Sequence, residues 1–187
     1  MRIVLAAALL AAMPAGDEEY WPTKKGMEWT YVWEDKKVDV VTSEGTKEID
    51  GVEYVVFAFD VQDHAAQRKE YARVTKEGVC YAGQDLGTDE EDDQRENLRL
   101  MVKFGGKKGD AWTWKLDEYE AKYEHQGEEE VSVPAGKYKA IRIAFQHVLA
   151  GTKSTTTQWY AKGVGLVKEE RVSEGSKSTM ELKRVKG

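Results

Sequence analysis

From Met27 to the C-terminus, apolar and polar residues alternate with a period of two, the repeat of strands with one buried face. Trp29, Tyr31 and Trp33 fall on one face, with Thr30 and Val32 on the other. Val38 and Val40 alternate with Asp39, and Val52 to Val61 is apolar on both faces, which predicts a central strand. Tyr71 to Thr75 and Val79 to Ala82 are two further strands, joined across the turn-like Lys76-Glu77-Gly78. Leu98, Leu100, Val102 and Phe104 alternate with Arg99 and Lys103, setting the cations on the opposite face from the aliphatics. Trp112, Trp114 and Leu116 share a face, and Tyr119, Ala121 and Tyr123 open a longer, more polar strand. That strand runs through Glu128 to Val133, and Pro134-Ala135-Gly136 turns it into Ile141, Ile143 and Phe145. The last strands are predicted near Thr155 to Tyr160, Leu166 to Val172 and Ser178 to Val185. About ten to twelve short strands separated by turn signals imply an all-β, mainly antiparallel domain: a curved sheet, a half-barrel or a sandwich. One segment departs from the pattern. Thr88 to Asn97 is predicted as a short helix, because Thr88 and Glu91 form a capping box and its first turn is acidic.

The N-terminus follows a different rule. Arg2 precedes an unbroken apolar run from Ile3 to Ala12, and the chain turns polar at Asp17. That is the layout of a signal peptide over 1–16, too short to span a bilayer, followed by a single β-rich domain over 17–187. Cleavage is expected after Ala15 or Gly16, and the lack of a Cys at the end of the run argues against a lipid anchor. The expected location is therefore periplasmic or extracellular. The formal net charge of -6 lacks the clustered basic face that nucleic acid requires, and no second long apolar run predicts a span in the mature chain. Cys80 is the only cysteine, so no intramolecular disulfide is available, and its strand position predicts a small buried hydrophobe.

The chain also repeats itself. Lys24-Lys25-Gly26-Met27-Glu28-Trp29-Thr30-Tyr31 recurs as Lys107-Lys108-Gly109-Asp110-Ala111-Trp112-Thr113-Trp114, matching in type at six of eight positions. Gly51 to Phe59 aligns with Gly136 to Phe145, and Tyr71 to Val79 aligns with Trp159 to Val167. Two duplicated halves, near 24–81 and 107–170, would each be a supersecondary unit unable to close its own core.

Three stretches carry a family likeness: Tyr20-Trp21-Pro22 with Lys25-Gly26 and Trp29-Thr30-Tyr31, the turn Val133-Pro134-Ala135-Gly136-Lys137-Tyr138, and Trp159 to Lys168 with its Gly163-Val164-Gly165-Leu166-Val167 core. The chain resembles a group of uncharacterised exported bacterial proteins that share a domain of unknown function. It is also distantly similar to the curved antiparallel sheets of periplasmic lipoprotein carriers. The resemblance implies a fold rather than a reaction. Gly136 and Gly165 are expected at backbone angles closed to other residues, and Pro134 at a strand start or edge.

The residues offer little chemistry. His64, His125 and His147 have no metal-ligand spacing, so no metal or other cofactor is expected. Nucleophile-elbow, phosphate-loop and dinucleotide motifs are absent, and the run Asp89 to Asp93 lacks the spacing and turn glycine of a calcium loop. The expectation is a protein without enzymatic activity. The strand aromatics carry the functional expectation: Trp29, Tyr31, Trp112, Trp114, Tyr138 and Trp159 would line a concave site for a lipid-like, apolar ligand or an envelope protein partner. The alternatives are a structural or assembly component of the envelope and, with least support, a hydrolase.

Overall fold

The structure, a computed structural model, describes residues 20–61, 68–86, 92–117, 119–149 and 152–187. The segment 1–16, expected to be a signal peptide, and His64 lie outside the described residues. Thirteen strands form: β1 (Glu28–Trp33), β2 (Val38–Ile49), β3 (Val52–Val61), β4 (Arg68–Val74), β5 (Gly78–Gln84), β6 (Asp92–Asp93) and β7 (Arg99–Lys103), then β8 (Ala111–Leu116), β9 (Tyr119–Val133), β10 (Gly136–Leu149), β11 (Thr152–Ala161), β12 (Gly165–Ser173) and β13 (Ser176–Lys186).

All thirteen belong to one antiparallel sheet in the order β6-β5-β4-β3-β2-β1-β13-β12-β11-β10-β9-β8, with β7 also paired to β5. Almost every neighbour in space is a neighbour in sequence. The exceptions are β7 beside β5 and β1 beside β13, the second of which joins the first strand to the last. The chain therefore meanders outward from β1 and returns to it through β13. Tight turns fix the register. Asp50 and Gly51, at φ 53° and 76°, form a two-residue hairpin loop of the kind that follows strand twist, as do Glu174 and Gly175 at 49° and 80°.

The sheet is curled, and its concave face holds most of the core. Trp29 and Tyr31 on β1, Val55 and Phe57 on β3, Ile143 and Phe145 on β10, and Leu182 on β13 all pack there. β3 is buried on both faces, as its continuous apolar run predicts. Its convex residues Tyr54 and Val56 join Tyr71, Ala82 and Leu86 in a second cluster. The segment leading into β1 closes one end of the concavity. The Trp21 ring lies 5.8 Å from Phe57 and 5.7 Å from Tyr160, and the Tyr20 hydroxyl donates to Glu128 at 3.2 Å. Gly165, at φ 88°, lets Pro22 approach: a Cβ there would sit 3.1 Å from its Cδ.

The two ends of the sheet meet between β7 and β8. Among the described residues no backbone ladder joins them. Side chains bridge the seam instead. Trp112 Nε1 donates to Leu100 O at 2.9 Å, Trp114 Nε1 to Asn97 O at 2.9 Å, and Asn97 Nδ2 to Lys115 O at 2.7 Å.

The helix predicted over Thr88 to Asn97 does not form in its described part. Asp92 and Asp93 pair with Gln84 and Gly83 as β6, and Arg95 and Glu96 turn. The acidic residues bind backbone locally, the Asp93 carboxylate accepting the Arg95 N–H at 3.0 Å, and this competes with helix formation. Gly83 completes the pairing, since a Cβ there would lie 2.3 Å from Asp92 O. Cys80 is buried, as expected from its strand, and burial pushes its thiol above the ordinary range.

Replacing both seam indoles with phenyl rings, Trp112→Phe with Trp114→Phe, would strip two carbonyls of their donors while keeping most of the apolar volume. We expect a loss of roughly 1–3 kcal/mol per orphaned carbonyl in urea unfolding. Amide exchange should accelerate in β7 and β8 before it does in β1 and β13. Unchanged stability and exchange would mean that something other than these bonds holds the seam.

Candidate functional site

Because neighbouring strands run antiparallel, the C-terminal ends of β1, β3, β5, β8, β10 and β12 share a rim with the N-terminal ends of β2, β4, β7, β9, β11 and β13. It lies opposite the end closed by Trp21. Towards this rim the concave face changes character, and ionisable side chains point into it. They are Asp39 on β2, Arg68 and Glu70 on β4, Asp92 on β6, Arg99 on β7, His147 on β10, and Glu169 and Arg171 on β12; Asp39 accepts from Trp33 Nε1 at 2.7 Å and Asp92 from the Tyr81 hydroxyl at 3.2 Å. Register places them. Arg68 and Glu70 lie opposite Phe59 and Phe57, Arg99 opposite Tyr81, and Glu169 opposite Met180. Cross-strand partners share a face.

Most of these charges have partners. Arg68 Nη2 is 2.9 Å from Glu70 Oε1. Glu169, buried at 4% exposure, accepts from Gln158 Nε2 at 2.6 Å and from Arg171 Nε at 2.5 Å. Gln158 Oε1 in turn accepts from the Tyr160 hydroxyl at 2.8 Å. Arg99 is held differently. Its guanidinium lies over two aromatic faces, 4.7 Å from the Tyr81 centroid and 5.6 Å from that of Trp114. Among the described residues it has no ion pair and no hydrogen bond. Arg68 Nε, Arg99 Nε and His147 Nδ1 are buried atoms without a hydrogen-bond partner among those residues.

The groups feel one another across the concavity. Burial, with Glu169 adding to it, pushes the Glu70 carboxyl above its ordinary range, against the pull of Arg68 and Arg99. Burial, then Arg99 and Arg171, holds the His147 imidazole below its usual value. Burial and Glu169 raise the Tyr31 phenol, and burial pushes Tyr123 up to about 12. Glu70 nevertheless keeps 29% of its side-chain surface exposed. One wall of the concavity is a run of stacked rings: Trp112 on Tyr123 at 5.3 Å, Tyr123 on Phe145 at 5.0 Å, and His147 on Tyr119 at 5.4 Å. Such a place can hold a polar or charged group against aromatic surface.

Of the aromatic residues singled out from the sequence, Trp29, Tyr31, Trp114 and Trp159 belong to the large core cluster, and Trp112 and Tyr138 pack against it. Trp29, Tyr31, Trp112 and Trp114 face inward, but their polar atoms are occupied by backbone. Trp29 Nε1 donates to Val164 O at 2.6 Å and the Tyr31 hydroxyl to Leu166 O at 2.9 Å, while the β8 pair bridges the seam. Trp159 faces the other way. It lies between its cross-strand partners Arg142 and Lys168, at 5.4 and 5.2 Å, and donates to Glu129 at 2.6 Å. Tyr138, four residues before Arg142 on β10, shares that convex face. Only Trp114 touches the charged set.

The sequence reading missed Arg99 because β7 carries a bulge. Val102 pairs with Val79 and Leu100 with Cys80, so Met101 is an extra residue and Arg99 shares a face with Val102. His147 was noted without a role, and His125 is buried with Nδ1 accepting the Gly127 N–H at 3.1 Å. No group of three metal-binding side chains occurs among the described residues. Clefts of ≈ 470 and ≈ 310 Å³ flank the β2–β3 turn. The arginine at the larger one, Arg95, is already tied to Asp93 and Asp50, at 2.6 and 2.8 Å.

Comparison with known proteins gives fold and family. The DUF3108-like family model matches residues 81–182. A crystal structure of a Bacteroides fragilis protein assigned as exported, with a YmcC-like fold, superposes with a TM-score of 0.56 at 16% identity, covering 89% of this chain and 98% of that one. A Parabacteroides distasonis protein assigned as a lipoprotein gives a TM-score of 0.50 at 12% identity with the same two coverages, 89% and 98%. No curated protein matches the sequence.

The raised Glu70 carboxyl has a consequence for stability. The folded state favours its protonated form, so its contribution is present in acid and is lost as pH rises through the raised value. Glu70→Gln is neutral at every pH. We expect the variant to gain stability relative to the parent between about pH 4 and about pH 8 in urea unfolding. A difference that is flat or reversed over that range would show that Arg68 outweighs burial at this site.

Proposed function

Because this chain belongs to the DUF3108-like family, we propose its function from its own geometry: an exported binding module, without enzymatic activity, that takes its ligand at the charged rim of the concave face. Export is supported by Arg2 and the apolar run Ile3 to Ala12, and by the two structural neighbours assigned as an exported protein and a lipoprotein. The site of action is then the periplasm or the cell exterior.

One observation carries the binding reading. The concave face of a small all-β domain should be its driest region, yet this one places three arginines, two glutamates, two aspartates and a histidine there. Burying charge costs more than burying an apolar side chain of the same size, and buried ion pairs seldom repay the difference in stability. A set that is partly desolvated, reached by water and includes the unpartnered atoms Arg68 Nε, Arg99 Nε and His147 Nδ1 fits a receptor better than a scaffold.

The ligand reading shifts accordingly. Trp29, Tyr31 and Trp112 act as core and as staples, so a lipid-like ligand would engage the rim with its polar end and meet the ring wall beside it. Equal connectivity of the runs β1 to β5 and β8 to β12 supports the duplication read from the sequence. A structural role in the envelope calls for an exposed apolar patch. Val148 and Val172, at 46% and 44% exposure, are the exposed large hydrophobics among the described residues, and two valines give that reading little support.

The test is native mass spectrometry on protein expressed with its own signal and purified from the periplasm. We expect the signal to be gone and a small-molecule adduct to be present, either as purified or after incubation with an envelope extract, and to be lost on organic extraction. A clean mass under both conditions would remove the small-ligand reading and leave an envelope protein as partner.

A further inference from the structure

Resting on that reading, we propose that Arg99 is the anion receptor of the rim: the ligand bears an oxyanion, a carboxylate or a phosphate, that binds the free edge of the Arg99 guanidinium.

The argument begins with pairing. Of the three arginines on the concave face, Arg68 has Glu70 and Arg171 has Glu169. Arg99 has neither a carboxylate nor any other hydrogen-bond acceptor among the described residues. Its position is nonetheless defined, because the guanidinium carbon lies over the Tyr81 ring at 4.7 Å and the Trp114 ring at 5.6 Å. A guanidinium carries five N–H donors. These ring contacts give its buried Nε no oxygen or nitrogen acceptor. The guanidinium donors match the two oxygens of a carboxylate or phosphate in a fork-to-fork geometry, which a lysine ammonium cannot reproduce.

The neighbours fit the same chemistry. Arg68 Nε and His147 Nδ1 are the other buried atoms of the rim without partners. Both arginine Nε atoms are obligate donors. A ligand that satisfied them would have to bring acceptors, which an ammonium or an alkyl chain lacks. Glu70 Oε1 and both Glu169 oxygens are already engaged by Arg68, Gln158 and Arg171. These carboxylates oppose a further anion on the concave face, so the oxyanion must gain more at the Arg99 donors than it loses to them.

The seam adds a link to the fold. Trp114 covers Arg99 with its ring and crosses to Asn97 O with its indole N–H. Closure of the sheet and placement of the cation thus share one side chain. Ligand binding at Arg99 should also register in Trp114 fluorescence.

The experiment uses the full mature protein and three probes that differ only at the head: octanoate, octyl phosphate and octanol, titrated by calorimetry and tryptophan fluorescence. At least one of the two anions is expected to bind and octanol to bind at least tenfold more weakly; the stronger anion indicates whether a carboxylate or a phosphate is the natural head. Arg99→Gln should lose at least tenfold in affinity for that anion, Arg99→Lys should recover part of it, and Arg142→Gln, on the convex face, should behave as the parent. Circular dichroism checks that each variant is folded, and inorganic phosphate should compete in the parent protein whatever the variants do. Octanol binding as tightly as the anions, or Arg99→Gln and the parent binding them equally, would overturn the proposal while leaving the binding-module reading in place. No binding of any probe, together with a clean mass for the periplasmic protein, would remove both.

Discussion

Two indole N–H groups and one amide close this sheet. An antiparallel meander of thirteen strands has two free edges, and each would expose a row of unpaired backbone groups. Here the edges β7 and β8 are brought side by side, and Trp112, Trp114 and Asn97 supply the hydrogen bonds that a ladder would otherwise make. Much depends on that seam. It creates the concave face, it brings β4, β7, β10 and β12 round a common rim, and it aims the Trp114 ring at Arg99. At β1 and β13 the corresponding junction is an ordinary ladder, with Tyr31 opposite Leu182 and Trp33 opposite Met180. The two junctions show that one sheet can be closed by backbone on one side and by side chains on the other.

The interior is divided by polarity along the strand direction. Below the rim, Trp29, Tyr31, Phe57 and Ile143 form a dry core whose polar atoms all find backbone acceptors where they have any to donate. Nearer the rim, Gln158, Glu169 and Arg171 build a hydrogen-bonded chain with the Tyr160 hydroxyl. The chain satisfies the most deeply buried carboxylate of the concave face. It leaves the remaining cation, Arg99, with aromatic contacts alone. The Glu70 carboxyl is raised and the His147 imidazole lowered for the same reason: both sit where burial opposes charge.

Much of the fold was legible in the sequence. Period-two alternation predicted the aromatic strands β1 and β8, because strands with one buried face leave that signature, a run apolar on both faces predicted β3 with its boundaries, and turn residues predicted the turn at Pro134. The segment 88–97 was misread, because a capping-box pattern carries no information about Gly83, whose missing side chain admits Asp92 as a strand partner. The candidate site was mostly illegible, for a definite physical reason. Alternation identifies faces only while the register holds, and a single bulge at Met101 carries Arg99 from the apparent outer face to the inner one. Glu70 and Arg171 sit on apolar-parity positions near strand ends, where charged residues also occur for solubility, and Glu169 sits at the middle of β12, where only its register reveals the face. Trp159 shows the converse. At 5% exposure it belongs to the large core cluster, yet its cross-strand neighbours are two cations that lie over its ring.

The central claim is that Arg99 presents a free, oriented guanidinium edge to the concave face. Proton–nitrogen correlation spectroscopy of the arginine Nε–H groups tests it most directly, with the resonances assigned by single substitution and octanoate and octyl phosphate as titrants. The account expects a resolved Arg99 Nε–H resonance in the free protein, slowed in exchange by its burial. At least one of the two anions should shift that resonance, carry Arg68 with it and leave Arg142 in place. An Arg99 signal that stays fixed under both titrants while Arg142 moves, or an Arg99 signal averaged with solvent from the start, would contradict it.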